Sequence, residues 1–341
     1  MQKITEISLK ERWETFKNEN PKVRIRDAAK QLNTSEAALL ATETGNTVTL
    51  LAGDFSELLK EVTSLGYVMA LTRNDHVVHE RKGIYEKVSF GEHAGLVLGE
   101  DIDLRLFMQY WKFGFAVQEG DRKSFQFFDK SGEAVHKIYL TDKSNLEVYT
   151  QLVDKYKSTI QNGEIETEAY PKTEFEKPDG EIEVEAFRNA WREMKDTHEF
   201  FGLLRRFKLT RTQALRLGPE EFIQKVSNEA TRKMLNEASY KEVPIMVFVS
   251  SRGCIQIHTG WVKKLVESGP WYNVLDPEFN LHLREDKIAN TWIVKKPTAD
   301  GIVTSLEIFD ADGENIALFF GKRKPGIPEK EEWKNILSEL K

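Results

Sequence analysis

The sequence contains only one cysteine, Cys254, in 341 residues. A single thiol cannot form an intrachain disulfide, and this scarcity is typical of proteins from a reducing compartment. No apolar stretch approaches the ~18 residues of a membrane-spanning helix, and the charged N-terminal segment lacks the apolar region of a secretory signal. We therefore expect a cytoplasmic protein that does not insert into a membrane.

Motifs that bind nucleotides through glycine-rich loops are also missing. Neither G-x-G-x-x-G nor G-x-x-x-x-G-K-[ST] occurs, and no G-x-S-x-G sequence marks a nucleophilic serine. The formal net charge of −6 argues against a general nucleic-acid binder. An anionic ligand would therefore have to bind at a local cluster of lysine and arginine side chains.

What the sequence does contain is an internal repeat, visible when the chain is aligned with itself at an offset of 177 residues. Residues 68–85 then align with 245–262, with matching turn signals and apolar positions. After a four-residue insertion the offset is 181, and residues 125–135 align with 306–316. We interpret the chain as a duplication of one module.

This duplication divides the chain into three parts. We expect an N-terminal repeat at residues 1–162, a linker at 163–187 and a C-terminal repeat at 188–341. The linker is acidic and contains two prolines, so we predict a loop that includes an edge strand.

Strand and turn patterns recur in both halves and predict largely antiparallel sheets. Residues 67–72 and 76–79 form one predicted hairpin, and residues 245–250 and 254–258 form its equivalent. The segments FQFFDKSGEAV and LEIFDADGENI each predict a strand, an Asp-x-x-Gly turn and a second strand.

Each half opens with a helical pattern. In the first half Asn20 is the expected N-cap of a helix. In the second half Thr197 takes the cap position, while Asp196 and Glu199 have the spacing of a capping box.

A histidine distinguishes the two halves, because His198 aligns with Pro21 of the first half. It continues an apolar stripe at helical spacing, made of Phe187, Trp191, Met194, His198 and Phe201. One interpretation is a core histidine whose hydrogen bonds are satisfied. The other is a functional group, since one half has gained or lost a side chain that the fold does not need.

The other histidines and the cysteine have ordinary interpretations. Four histidines near turns are expected at the surface: His76, His79, His93 and His136. Cys254, Gln256 and His258 alternate along one strand and share a face, which favours packing or hydrogen bonding over zinc binding.

Basic residues are numerous after His198 and near the C-terminus. They are Arg205, Arg206, Lys208, Arg211, Arg216, Lys295, Lys296, Lys322, Arg323 and Lys324. Most of them belong to solvated faces. A ligand with one coordination point for an imidazole, a large apolar body and carboxylates would nevertheless need this mixture of side chains, and haem is such a ligand.

Several segments carry a resemblance to a known family, among them IMVFVSSRGCIQIHTGWVKKL, NVLDPEFNLHLRED, RIRDAAKQLNTSEAALL and DLRLF. From about residue 12 to 335 the chain resembles the bacterial hemin-degrading factors, haem-utilisation proteins of the HemS/ChuS/PhuS type. The resemblance implies an α+β fold with an internal duplication. Two large, mainly antiparallel sheets would be flanked by helices, with a haem cleft between the halves.

The resemblance also implies a set of site residues. His198, in DTHEFF, matches the proximal ligand of the haem iron, and Arg105, in DLRLF, matches the family's distal arginine. We expect Arg105 to be the catalytic residue, because a guanidinium there would donate hydrogen bonds to ligands of the iron. The other haem-binding residues that it implies are Phe107 on the distal face, Arg211 in the pocket, and the expected propionate contacts Lys296 and Arg323.

Two functions are compatible with these residues. The preferred one is degradation of haem by oxygenase-like ring opening with release of iron, using electrons from an external donor. The alternative is a haem chaperone or storage protein that delivers haem to a separate haem oxygenase. A haem uptake transporter is a further expected partner, and nucleic acid is not.

Overall fold

Residues 7–171, 176–323 and 326–340 are described in a computed structural model. The helices within them are α1 (Leu9–Glu19), α2 (Ile25–Gln31), α3 (Glu36–Ala41), α4 (Phe55–Glu61), α5 (Leu146–Tyr156), α6 (Val184–Arg192), α7 (Glu199–Phe207), α8 (Arg211–Leu217), α9 (Ala230–Tyr240) and α10 (Glu331–Ser338). None of these helices combines the length and the apolar character needed to cross a membrane.

The strands of the first half are β1 (Val48–Leu51), β2 (Gly66–Arg73), β3 (Val77–Ile84), β4 (Ser89–Phe90), β5 (Gly95–Leu98), β6 (Asp103–Leu106), β7 (Phe113–Glu119), β8 (Arg122–Phe128) and β9 (Ala134–Ser144). Those of the second half are β10 (Ile223–Val226), β11 (Ile245–Ser250), β12 (Cys254–Gly260), β13 (Leu265–Ser268), β14 (Trp271–Leu275), β15 (Phe279–Arg284), β16 (Asn290–Thr298), β17 (Gly301–Phe309) and β18 (Asn315–Gly321). The strands of both predicted hairpins are among them.

The order of the elements is the same in the two halves. Three helices, a strand, a fourth helix, eight strands and a closing helix follow one another from α1 to α5, and again from α6 to α10. All of these strands belong to two sheets of nine strands each. The predicted duplication and the α+β class are therefore confirmed.

The described residues divide into two compact units. Unit 1 comprises the residues up to Arg73, Arg81–Pro171 and Ser251–Gln256, and unit 2 comprises the remainder. In unit 1 the antiparallel strands pair in the orders β1-β7-β8-β9-β2 and β4-β5-β6. In unit 2 they pair in the orders β10-β16-β17-β18-β11 and β13-β14-β15. Equivalent strands thus have equivalent neighbours.

The Asp-x-x-Gly turns are confirmed in both units. A side-chain oxygen of the aspartate accepts from the backbone N–H two residues later, at 2.8 Å for Asp129 and 3.0 Å for Asp310. Gly132 and Gly313 each have a φ of +81°, in the left-handed region that glycine adopts without steric cost. The turn chemistry, which is local, survived the divergence of the repeats.

Each unit buries its own aromatic core. In unit 2 one cluster contains Phe187, Trp191 and Phe200, which lie on α6 and α7 and are at most 1% exposed. Burying a large apolar side chain contributes roughly 1.5–3 kcal/mol, so this cluster holds the two helices against the sheet.

The predicted start of the first helix is wrong. Asn20 follows the last residue of α1, and its side-chain amide donates to the carbonyl of Phe16 at 3.2 Å. The next helix begins only at Ile25, so Pro21 lies between two helices. Asparagine can bind backbone groups at either end of a helix. Here α1, whose apolar face includes the buried Trp13, continues up to Glu19, so Asn20 caps the C-terminus of that helix.

The predicted edge strand in the linker is also wrong for the described part of that segment. Residues 163–171 and 176–187 contain no strand, and residues 172–175 lie outside the described residues. The last part of the segment is already helical, because α6 begins at Val184.

Candidate functional site

His198 lies immediately before α7, at the position that caps the helix N-terminus. Asp196 contacts it twice through the same oxygen. Its Oδ1 accepts from the backbone N–H of His198 at 2.8 Å and lies 2.6 Å from the ring Nδ1. The backbone and the imidazole of His198 are therefore held by one carboxylate.

The caps predicted for α7 differ from this arrangement. Thr197 does not cap the helix, and Asp196 and Glu199 do not form the reciprocal bonds of a capping box. The carboxylate of Glu199 accepts instead from the N–H of Lys195 at 3.4 Å. Aspartate readily accepts from the N–H two residues later in a tight turn, and here that turn competes with the cap.

The predicted apolar stripe ends before His198. Trp191 and Met194 are at most 1% exposed, but the side chain of His198 is 90% exposed and Phe201 is 57% exposed. Residues 193–198 do not continue the helix, so the helical spacing is reset between α6 and α7. The interpretation of His198 as a core histidine is therefore wrong, and its imidazole is accessible.

The segment that carries His198 is fixed to the sheet of unit 2. Trp191 Nε1 donates to the carbonyl of Lys295 at 3.1 Å, and the N–H of Ala299 donates to the carbonyl of Lys195 at 2.8 Å. The rings of Trp191 and Phe200 meet edge to face at 4.6 Å. These contacts involve residues on both sides of His198 in the sequence, and they fix the position of its backbone on the sheet.

A buried carboxylate that the sequence analysis missed connects two of the predicted site residues. Glu307 on β17 is fully buried and accepts two hydrogen bonds from Arg211, at 2.8 and 2.9 Å. Its Oε1 also accepts from Lys296 Nζ at 2.7 Å and from Ser305 Oγ at 2.9 Å. The signal for it was a single acidic residue inside the otherwise apolar strand segment LEIF.

We call Glu307, Arg211 and Lys296 the Glu307 triad. Each charge in it shifts the pKa of a neighbour. Burial favours the neutral acid, but Arg211 and Lys296 outweigh it and hold the pKa of Glu307 well below its usual range. Burial lowers the pKa of Lys296 to about 8, although Glu307 opposes this shift. The triad therefore carries one net positive charge at neutral pH.

Both cations of the triad also contact aromatic rings of α7. The guanidinium of Arg211 lies 5.3 Å from the ring centroid of Phe200 and 5.8 Å from that of Phe201. Lys296 Nζ lies 4.8 Å from the Phe200 centroid. The helix that follows His198 thus rests on the triad. Lys296, which the sequence predicted to bind a propionate, lies inside β16 and is only 4% exposed. Its ammonium group donates instead to the buried carboxylate of Glu307.

Arg323 lies in the same unit, with its Nη2 3.8 Å from Asp300 Oδ2. Its charge also reaches Asp196, whose pKa is lowered first by the N–H of His198 and then, more weakly, by Arg323. Arg323 is therefore part of the electrostatic surroundings of His198. The neighbouring Lys324 lies outside the described residues.

The other two predicted residues lie in unit 1. Arg105 is on β6, where its Nη1 binds the carboxylate of Asp103 and the carbonyl of Leu104. Its side chain is 33% exposed. Phe107 follows the strand, half-buried, and its N–H donates to the carbonyl of Gly253 at 2.9 Å.

Two histidines expected at the surface are buried instead. His79 is fully buried, and His136 is 1% exposed, with Nδ1 2.8 Å from Thr72 Oγ1 and Nε2 2.6 Å from the Tyr85 hydroxyl. Both residues lie on strands, and the alternation of a strand cannot show from local sequence which face meets a core. His93 is exposed, as expected.

Cys254, Gln256 and His258 are all at most 3% exposed and lie along β12, as predicted. Gln256 Nε2 donates to the carbonyl of Ala70 at 3.0 Å, and the imidazole of His258 stacks on Phe279 at 3.7 Å. Burial raises the pKa of Cys254 to about 12, so its thiol stays protonated. The predicted packing and hydrogen-bonding role is confirmed.

Comparison with known proteins adds a sequence relationship over nearly the whole chain. The chain is 39% identical to the hemin transport protein HemS of Yersinia enterocolitica over 98% of its own length and 97% of that protein. It is 42% identical to holo-PhuS, a heme-binding protein from Pseudomonas aeruginosa, with 97% of each chain covered and a TM-score of 0.94.

ChuS, described as an Escherichia coli heme oxygenase, is 36% identical and covers 96% of this chain and 98% of its own, with a TM-score of 0.88. The sequence profile of the haemin-degrading HemS.ChuX domain matches residues 33–156 and again residues 208–340. The chain therefore belongs to the haemin-degrading HemS.ChuX family and contains its domain twice.

Proposed function

We propose that this chain binds haem in the cytoplasm, with His198 as the axial ligand of the iron, and that it degrades the haem. The observation that carries the proposal is the exposed imidazole at the start of α7, three residues before the exposed Phe201. An accessible imidazole supplies a ligand for haem iron, and an accessible aromatic ring supplies apolar contact for the macrocycle.

The relatives support haem as the ligand. HemS is named a hemin transport protein, PhuS a heme-binding protein and ChuS a heme oxygenase. Each aligns over at least 96% of this chain, so the segments that carry His198 and Arg105 fall within the related region.

The basic residues of unit 2 suit the propionates of haem. Arg211 and Lys296 already share one carboxylate, and the remaining positive charge of the Glu307 triad favours the approach of another. We assign propionate contacts to Arg323 and Arg211, whose side chains are 18% and 15% exposed, and an indirect role through Glu307 to Lys296.

For degradation, haem is the substrate and dioxygen is the oxidant, and the iron of the haem supplies the redox chemistry when an external donor provides electrons. The protein then has to hold the iron, orient the ring and donate hydrogen bonds. We assign the first task to His198 and the hydrogen bonds to Arg105, with Phe107 as an apolar contact. Iron and an opened tetrapyrrole are the proposed products.

A second function is favoured by the name of one relative. HemS is described as a transport protein, so the same residues are also suited to a chaperone that receives haem after uptake and delivers it to a separate haem oxygenase. The two functions differ in whether bound haem survives reduction in air.

Replacing His198 by alanine is expected to abolish the axial bond to iron and to weaken haem affinity by roughly 100-fold or more, which corresponds to about 2.7 kcal/mol. Titration with hemin, followed by the Soret band, measures this change. His93→Ala, which removes another exposed histidine, is the matched control and should bind like the wild type. An unchanged spectrum and affinity in His198→Ala would overturn the ligand assignment.

Arg105→Ala is expected to retain one haem per chain but to slow its oxidative loss by roughly tenfold to a hundredfold, because a charge-assisted hydrogen bond is worth about 1.5–3 kcal/mol. The rate is read from decay of the Soret band after addition of a reductant in air, with an anaerobic sample as reference. Arg122→Ala, whose side chain is 72% exposed in the same unit, serves as control. Wild-type haem that stays intact under these conditions would favour the chaperone.

A further inference from the structure

We propose that Asp196 is a positioning residue for His198, and that it fixes the imidazole in the tautomer that leaves Nε2 as the iron-binding atom. The geometry stands on its own, while its consequence for haem rests on the proposed function.

The contact itself assigns the proton. Asp196 Oδ1 lies 2.6 Å from Nδ1 of His198, which is hydrogen-bonding distance. An aspartate carboxylate is ionised at neutral pH and can only accept a hydrogen bond. Nδ1 must therefore carry the proton, and in the neutral ring the lone pair is then on Nε2.

The same oxygen also restricts how the ring is oriented. It accepts from the backbone N–H of His198 at 2.8 Å, so the ring and the peptide of one residue share an acceptor two positions earlier. A side chain that is 90% exposed would otherwise sample several rotamers. Because the ring is already ordered before the ligand binds, less conformational entropy is lost on binding.

A carboxylate on the far nitrogen of a metal-binding histidine also makes the ring a stronger donor to the metal. Asp196 thus has two separable effects on His198. Its hydrogen bond selects the tautomer and the orientation, and its negative charge strengthens the bond from Nε2 to a metal. Asp196→Ala removes both effects, whereas Asp196→Asn keeps an acceptor and removes the charge.

Glu199 provides a matched control. It is exposed at the same helix end, and its carboxylate binds the N–H of Lys195 rather than the imidazole. Glu199→Gln therefore removes an equal charge from the same turn without touching His198.

The first measurement needs no haem. Nitrogen-15 NMR of the histidine side chains in the full chain, with His198→Ala to assign the resonance, reports which ring nitrogen is protonated. Wild type and Glu199→Gln should show His198 protonated at Nδ1, and Asp196→Ala should shift the ring towards the Nε2-protonated form that a free imidazole prefers. An Nε2-protonated His198 in the wild type would overturn the proposal.

The second measurement uses the haem complex. Asp196→Ala should bind haem about 10- to 100-fold more weakly than the wild type, and the iron–histidine stretching band of the ferrous complex should move to lower frequency. Asp196→Asn should lower that band but lose less affinity, and Glu199→Gln should change neither. Equal spectra for wild type and Asp196→Ala would overturn the proposal.

The two proposals fail in different ways. If His198→Ala binds haem like the wild type, the proposed ligand is wrong, whereas the tautomer measured without haem still tests Asp196. If His198→Ala loses haem and Asp196→Ala behaves like Glu199→Gln in both measurements, the ligand is correct and the positioning role is wrong.

Discussion

Replacing Glu307 by glutamine is expected to lower the free energy of unfolding by about 3–5 kcal/mol. The substitution leaves Arg211 and Lys296 facing each other without the carboxylate that binds both, and removing one partner of a buried ion pair costs about this amount. Urea unfolding at pH 7, followed by circular dichroism, measures the loss.

Two further variants make this prediction specific. Glu314→Gln, an exposed acid next to β18, should change stability by less than about 0.5 kcal/mol. Combining Glu307→Gln with Lys296→Met should recover part of the lost unfolding free energy, because only one buried cation then lacks its carboxylate partner. A loss below about 1 kcal/mol in Glu307→Gln would show that the triad does not stabilise unit 2.

Acid is expected to destabilise unit 1 through His136. Burial lowers the pKa of His136 to about 3 from 6.5, so the folded state stays neutral while the unfolded state takes up a proton. Above pH 6.5 both states are neutral and this residue adds no pH dependence. Below it, stability falls by about 1.4 kcal/mol per pH unit until the folded state also titrates near pH 3, or about 2 kcal/mol between pH 6.5 and 5.

The neighbours of His136 do not offset this effect. Burial raises the pKa of Tyr85 well above its usual range and that of Cys254 to about 12, so neither supplies a negative charge in acid. Unfolding measured at several pH values should give a shallower dependence for His136→Asn than for the wild type. His93→Asn, an exposed control, should leave the slope unchanged, and equal slopes for His136→Asn and wild type would contradict the prediction.

Unit 1 also contains a buried cluster of one glutamate, one arginine and one lysine. There the buried carboxylate is Glu36 on α3, which binds Arg73 at 2.7 Å and also pairs with Lys137. In unit 1 the helix thus supplies the acid, whereas in unit 2 the helix α8 supplies Arg211. Each unit therefore has a buried ionic contact between a helix and the sheet, and in unit 2 the helix that contributes to it is α8.

The features that the sequence predicted most accurately depend on local interactions. The two Asp-x-x-Gly turns, the hairpin strands and the shared face of Cys254, Gln256 and His258 depend on residues a few positions apart. The predicted helix ends were less accurate. The side chains of Asn20 and Asp196 can each bind more than one backbone group, and the packing around them decides which one they bind.

By itself the sequence determined the duplication, the strand and turn pattern, and the alignment of His198 with Pro21 of the first repeat. Only the tertiary structure decided that His198 is exposed rather than buried, that Asp196 holds its ring, and that Glu307 binds Arg211 and Lys296. The triad joins β17 to residues 96 and 11 positions earlier, and such a pairing is set by the packing of helix on sheet. The exposure of His198 is decided by the break between α6 and α7, which resets the helical phase that the spacing of apolar residues had suggested.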